Sequence, residues 1–291
     1  MRSENDFMMR AVLKDHAVRL AFGSFKELAS AGIIAHDTDP VAGRLLAGGL
    51  VAGSLMSVLL NEEERYSIRI DYKGPAKGIL LDVSGRGEVR GFIRNPHVMT
   101  EADSMENACG AGATVTATKS ENGKILNSGQ AESAFITPAS ALSYFLSVSD
   151  QVETEISSEI LLQPDPAAPV RCACAVMIQA LPDCDLEFFN RMRDQLLSET
   201  AGKILNDPML LADRKLETLT MLLCKTALPP AMDIAGVPAP RFVCNCSTEK
   251  IWQTARTMLG KEDFEKLLQE NPDPVIRCQF CNKVHHYKAD K

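Results

Sequence analysis

The sequence predicts an α+β protein: an N-terminal domain with a mixed, largely antiparallel sheet around a buried glycine-rich helix, then a helical linker, then a small cysteine-bearing module. Three observations carry that reading. Leu45 to Leu60 is a run of apolar residues, glycines and serines with no charge. From Tyr66 onward the apolar residues alternate with polar ones, which is the period of a strand. A proline-rich stretch, Pro229 to Pro240, separates a leucine-rich segment from the tail. The predicted boundaries are 1–182 for the core domain, 183–240 for the linker and 241–291 for the module.

Taken in order, residues 5–27 mix helical and extended signals and support no assignment. Asp39-Pro40 is an N-cap followed by proline at the first helical position, so a helix should run from Pro40 to Leu60. Gly43, Gly48, Gly49 and Gly53 each cost it about 1 kcal/mol relative to alanine, so close packing must hold it. Tyr66, Ile68, Ile70 and Tyr72 make a strand, Gly74-Pro75 ends it, Ile79–Val83 resumes, Ser84-Gly85-Arg86-Gly87 turns, and Val89–Ile93 completes a meander. Strands at Ala113–Thr118 and Lys124–Leu126 flank the hairpin turn Asn122-Gly123. Thr137-Pro138 starts a short helix with Leu142, Tyr144, Phe145 and Leu146, and strands return at Val152–Leu162 and Val170–Leu181. Cys172 and Cys174 fall on one face of that last apolar strand and read as packed thiols. Asp185–Leu197 is a helix, and Asp207-Pro208 should cap another carrying Leu210, Leu211, Leu216, Leu219, Leu222 and Leu223 until Pro229-Pro230 stops it. These helices are apolar on one face and must dock on something. Residues 229–240, with four prolines, should have no regular structure.

Composition narrows the function. The 291 residues are 45% apolar and 24% charged, with net charge −7 and pI near 5.4, which argues against a general nucleic-acid binder. The N-terminal MRSENDFMMRAVLKDH has no apolar core for a signal peptide, and Leu45–Leu60 is shorter than the ~20 residues of a membrane span. A cytoplasmic protein without membrane contact is expected, and its nine cysteines should then be reduced.

The tail holds Cys244-Asn245-Cys246 and Cys278-Gln279-Phe280-Cys281. Two tight pairs separated by a folded insert bring four thiolates to one point, and a tetrahedral sulfur site suits one structural zinc ion. Buried thiols or a disulfide framework are the competing readings. The first rarely shows paired spacing beside turn residues, and the second wants an extracellular setting. A module of about 50 residues is near the size at which an apolar core alone becomes marginal, so metal loss should unfold it. Ser247 should cap a helix to Leu259, ended by Gly260, with Ile251, Trp252, Ala255, Met258 and Leu259 as a small core; a second helix should span Glu262–Gln269. His285 and His286 read as solvated rather than as ligands.

At this point the chain resembles the heat shock protein 33 family, the redox-regulated molecular chaperones, over nearly its whole length. The resemblance is carried by Arg241-Phe242-Val243-Cys244-Asn245-Cys246-Ser247 and Cys278-Gln279-Phe280-Cys281-Asn282, with collinear echoes at Gly43-Arg44-Leu45-Leu46-Ala47, Gly74-Pro75, Val89-Arg90-Gly91-Phe92, Asn95-Pro96 and Leu181-Pro182. It implies a chaperone held inactive by zinc on Cys244, Cys246, Cys278 and Cys281. It implies oxidation to Cys244–Cys246 and Cys278–Cys281 disulfides, zinc release, unfolding of the module and linker, ATP-independent holding of unfolded or aggregation-prone proteins, and a homodimer on activation. The chain departs from the family pattern at His285, where an aromatic residue is usual, and Tyr287 matches the second aromatic position.

Two other functions compete. A thiol-disulfide oxidoreductase using Cys278 and Cys281 would want a thioredoxin-like strand-to-helix context, which the pattern lacks. A zinc-ribbon nucleic-acid binder would want a basic module, whereas this one carries only a slight excess of Lys and Arg. No Ser-His-Asp pattern, P-loop or dinucleotide fingerprint is present, so no enzyme is expected.

Overall fold

The computed structural model describes residues 6–98 and 104–287. Two strands, β1 (Phe7–Leu13) and β2 (Val18–Ser24), lead into helices α1 (Lys26–His36) and α2 (Pro40–Leu55). The meander is β3 (Glu64–Tyr72), β4 (Gly78–Ser84) and β5 (Glu88–Ile93). After the short α3 (Met105–Cys109) come β6 (Ala113–Glu121), β7 (Lys124–Ser133), α4 (Pro138–Ser149), β8 (Thr154–Leu162) and β9 (Val170–Ala180). Three helices follow, α5 (Leu186–Leu196), α6 (Glu199–Asn206) and α7 (Ala212–Cys224), then the short strands β10 (Asp233–Gly236) and β11 (Arg241–Phe242). The tail forms α8 (Thr248–Leu259), α9 (Lys261–Glu270), β12 (Val275–Arg277) and β13 (Val284–His286). The chain divides into two compact units, Met1–Phe242 and Val243–Lys291.

In the first unit one sheet has the order β10-β1-β2-β9-β8 and the other β11-β5-β4-β3-β6-β7. Their pairings are antiparallel apart from β11, which runs parallel to β5. The architecture is therefore α+β, as the sequence indicates. Between the two sheets lies α2, buried along almost its whole length. The Asp39 carboxylate caps it by accepting from the Ala42 amide at 2.8 Å, with Pro40 at the first turn. Its glycines permit a close approach to β4: a Cβ on Gly49 would sit 3.2 Å from Ile79, and one on Gly53 3.1 Å from Leu81. Helix α2 and the turn after it, Pro40–Leu59, are long and apolar enough to cross a membrane, but they are enclosed as this unit's core.

Strand β9 is buried on both faces. Ala173, Ala175 and Met177 face the α2 core, while Cys172, Cys174, Val176 and Ile178 face a second cluster under α5, α6 and α7. There Phe189, Met192, Leu196, Leu205, Leu219 and Leu223 pack on Leu13, Leu20 and Phe22. Each such side chain contributes roughly 1.5–3 kcal/mol of burial, much of it offset by the entropy of ordering the helices.

Three segments differ from the sequence reading. Of residues 5–27, left unassigned, 7–24 form the β1–β2 hairpin and Lys26 opens α1; β2 is covered on both faces, so it shows no alternation to read. The helix expected from Pro208 begins at Ala212 instead, because Asp207 accepts from the Met209 amide at 2.8 Å in a local turn, and Ser198 caps a separate α6 upstream. The stretch 229–240 is not irregular throughout: its proline-free part, Asp233–Gly236, adds to the edge of β1.

Candidate metal centre

In the second unit the sequence signals for turns and caps set the positions of the cysteines. Ser247 accepts from the Lys250 amide at 3.2 Å and starts α8 one residue after Cys246. Gly260, at φ +79°, separates α8 from α9. Beyond α9, β12 and β13 pair antiparallel, Arg277 opposite Val284, so the chain between them turns back on itself. The Cys278 amide donates to the Lys283 carbonyl at 2.9 Å, the Asn282 amide donates to the Cys278 carbonyl at 2.8 Å, and Asn282 takes the left-handed conformation at φ +60°. This tight knuckle holds Cys278 and Cys281 on one side of the turn.

The result is a convergence of four sulfurs. The Sγ atoms of Cys244, Cys246, Cys278 and Cys281 all lie within 4.8 Å of one another. Cys244 and Cys278 are 3.8 Å apart, and Cys246 and Cys281 are 3.5 Å apart. A tetrahedron with Zn–S bonds of ~2.3 Å has sulfurs about 3.8 Å apart, so the donor set fits a zinc ion in kind, number and spacing. Burial pushes the Cys246 thiol up, and burial with the crowd of neighbouring sulfurs pushes the Cys281 thiol up as well. Such a crowd disfavours thiolates until a cation joins it, and a cation inverts that balance. The remaining cysteines stand apart from it: Cys109, Cys172 and Cys174 are buried in the first unit, and Cys184 and Cys224 are half-buried there. Among the described residues no other group of three or more His, Cys, Asp or Glu side chains converges in this way.

Sequence reasoning missed His285. It was expected to be solvated, yet it is 2% exposed, because the strand period of β13 turns it inward between Val284 and His286. Its Nδ1 lies 3.1 Å from the Thr248 hydroxyl and its Nε2 3.4 Å from the Cys246 sulfur. A hydroxyl donating to Nδ1 leaves the proton on Nε2, which then donates to the sulfur. His286 points outward instead, with Nδ1 3.0 Å from Asp273. The Trp252 indole donates to the His285 carbonyl at 3.2 Å, and the Trp252, Phe264 and Tyr287 rings meet edge to face at 5.1 to 6.1 Å. Trp252, Phe264 and His285 are the buried side chains of this unit among the described residues, so its apolar core is thin. The pair Cys278 and Cys281 sits in a hairpin knuckle and not at the start of a helix, where a redox-active pair of the thioredoxin type would be.

Comparison with known proteins agrees along nearly the whole chain. The family model described as Hsp33 protein matches residues 6–288. A 33 kDa chaperonin of Geobacillus kaustophilus is 26% identical over 287 residues, covering 97% of this chain and 94% of the relative. One of Clostridium botulinum is 27% identical over 292 residues, covering 98% and 96%. A crystal structure of the 33 kDa chaperonin, a heat shock protein 33 homolog, of Thermotoga maritima shares the fold with a TM-score of 0.79 at 20% identity, over 97% of this chain and 94% of that one.

Proposed function

The chain belongs to the Hsp33 family of chaperones, and on that premise we propose that it is a redox-regulated, ATP-independent holdase that binds unfolded proteins once its C-terminal cysteines are oxidised. In the reduced state Cys244, Cys246, Cys278 and Cys281 hold one zinc ion. When bound, that ion supplies the charge that keeps the four sulfurs as thiolates and ties the two ends of the module together. A peroxide-class oxidant is attacked by one thiolate; its O–O bond breaks, the sulfur keeps one oxygen, and water or an alcohol leaves. The partner sulfur then displaces that oxygen as water and forms the S–S bond. Performed twice, with two equivalents of peroxide reduced, this joins Cys244 to Cys246 and Cys278 to Cys281, the pairing that the family resemblance implies.

The convergence of the four sulfurs in a unit whose core is otherwise three buried side chains carries this reading. Once the sulfurs no longer share a centre, little else holds the unit that begins at Val243 folded. The helices of 183–240 then loosen from the domain of 1–182 and bare the apolar surface of Leu13, Leu20, Phe22, Val176 and Ile178. A patch of that kind binds extended, apolar chains. The partners are thus unfolded proteins and, on activation, a second copy of the chain; the setting is the cytoplasm, with no nucleic acid, no membrane and no catalytic turnover.

The test takes zinc content and suppression of client aggregation on one sample, reduced and then treated with peroxide under mild heat. One equivalent of zinc, lost as holding activity appears and regained with a thiol reductant, supports the switch. Zinc retained at full occupancy while activity appears would overturn it.

A further inference from the structure

Beneath the helical layer lies a group of side chains that the C-terminal centre does not use. Lys215 of α7 is 3% exposed and points into the cluster over β9. Its Nζ lies 3.1 Å from the Cys172 sulfur, 3.4 Å from the Cys174 sulfur and 2.7 Å from the Leu205 carbonyl. Among the described residues no carboxylate lies within ion-pair distance of it. A buried ammonium without an anion is costly, and the group here that can supply one is a thiol. The two sulfurs are 3.9 Å apart. A hydrogen bond from the Cys174 thiol and the adjacent Lys215 ammonium pull the Cys172 thiol down from its ordinary range, and the same hydrogen bond with burial pushes Cys174 up. Burial and, less strongly, Asp207 act against the Cys172 thiolate but do not outweigh these.

We propose that Cys172 and Cys174, with Lys215, form a second thiol switch, separate from the four C-terminal cysteines, that peroxide-class oxidants convert to a Cys172–Cys174 disulfide and that loosens the helical layer over β9. The Cys172 thiolate attacks a peroxide oxygen and becomes a sulfenic acid as the O–O bond breaks and water or an alcohol departs. The Cys174 thiol then attacks that sulfur, its proton leaves with the departing oxygen as water, and two thiols have given two electrons to one peroxide. Both residues are buried, Cys172 at 7% exposure and Cys174 at 2%, so the oxidant meets them as the helical layer over β9 opens.

Residues two apart on a strand have Cα atoms about 6.6–6.8 Å apart, at the upper end of what a disulfide spans, so the link strains β9 and is readily reduced. It also removes the anion facing Lys215, which keeps only the Leu205 carbonyl from α6. The ammonium must then seek water, and α7 moves with it. The reactivity stands whether or not the C-terminal cysteines bind zinc.

The experiment uses the full-length reduced protein, hydrogen peroxide at pH 7, timed alkylation and peptide mass mapping, with zinc followed in parallel. The peptide that begins at Cys172 should lose two hydrogens, localised by fragmentation to Cys172 and Cys174, while zinc is still bound. Amide exchange in α6 and α7 should rise with it. In Lys215→Met, a neutral side chain of similar length, the rate should fall at least about tenfold because the cation 3.1 Å from the Cys172 sulfur is gone; Lys215→Arg should keep most of it. A Cys172 that stays fully alkylatable in the wild-type protein after the peroxide is consumed, a disulfide that appears only after zinc has gone, or an equal rate in Lys215→Met would each overturn the proposal.

Discussion

Replacing His285 with phenylalanine isolates what a buried imidazole does for the cysteine cluster. The Trp252 indole bonds the backbone carbonyl of His285, so that contact survives the substitution, and a phenyl ring is close to the imidazole in size. Lost are the Nε2 contact to the Cys246 sulfur at 3.4 Å and the Nδ1 partner of Thr248. Four thiolates on one dication leave a net charge of −2, which a hydrogen bond to sulfur helps to spread. Removing a partner of this kind typically weakens a metal site by about 10–100-fold, or roughly 1.4–2.8 kcal/mol. Competition for zinc with a chromophoric chelator, run on the reduced wild type and on His285→Phe, measures that difference. Trp252, the sole tryptophan, reports in the same titration whether the metal-bound module stays folded. An affinity within twofold of wild type, with Trp252 emission unchanged, would refute the reasoning and leave His285 a filler of space.

Stripping zinc from the reduced protein should red-shift Trp252 emission and open the amides of α8 and α9 to exchange while those of α2 stay protected; protection in α8 equal to that of the zinc-bound form would count against a metal-dependent fold. Cys244→Ser or Cys281→Ser should lower zinc content, whereas Cys172→Ser should leave it at the wild-type value, as metal analysis of the purified variants will show. Asp39→Ala removes the cap of α2 and should cost about 1 kcal/mol, read by denaturant titration. Gly49→Ala puts a methyl group 3.2 Å from Ile79 in a filled core, an overpacking cost of about 1–3 kcal/mol set against about 1 kcal/mol of gained helix propensity, and a net loss should show in the same assay.

How far the sequence could be read depended on how many faces of each element were covered. Strand β3 turns one face into the core around α2, so Tyr66, Ile68, Ile70 and Tyr72 alternate with polar residues and the strand announces itself. Strand β2 has a cluster on each side, so its apolar residues run together and no period survives. The cap of α2 was legible because Asp39 bonds its own helix, and that of α7 was not, because Asp207 spends its carboxylate on a local turn. At the metal centre the convergence of Cys244, Cys246, Cys278 and Cys281 followed from spacing. The inward turn of His285 needed the register of a three-residue strand, and the approach of Lys215 to Cys172 joins residues 43 positions apart, which no local pattern records.

The two thiol groups sit in opposite relation to their surroundings, and that difference sets what oxidation does to each. In the C-terminal unit the sulfurs are structural in proportion: with Trp252, Phe264 and His285 as the buried side chains, dissolving the centre removes most of what orders the unit. Over β9 the sulfurs are a small part of a large apolar contact that includes Phe22, Phe189, Met192, Leu196, Leu205 and Leu219. Oxidation there cannot unfold the layer outright; it turns one favourable buried charge pair into an unpaired cation and lowers the cost of lifting α7. A chain regulated in this way would respond to oxidant in two grades. The thinly cored unit would switch cooperatively, and the thiols beneath α7 would set how readily the helical layer follows.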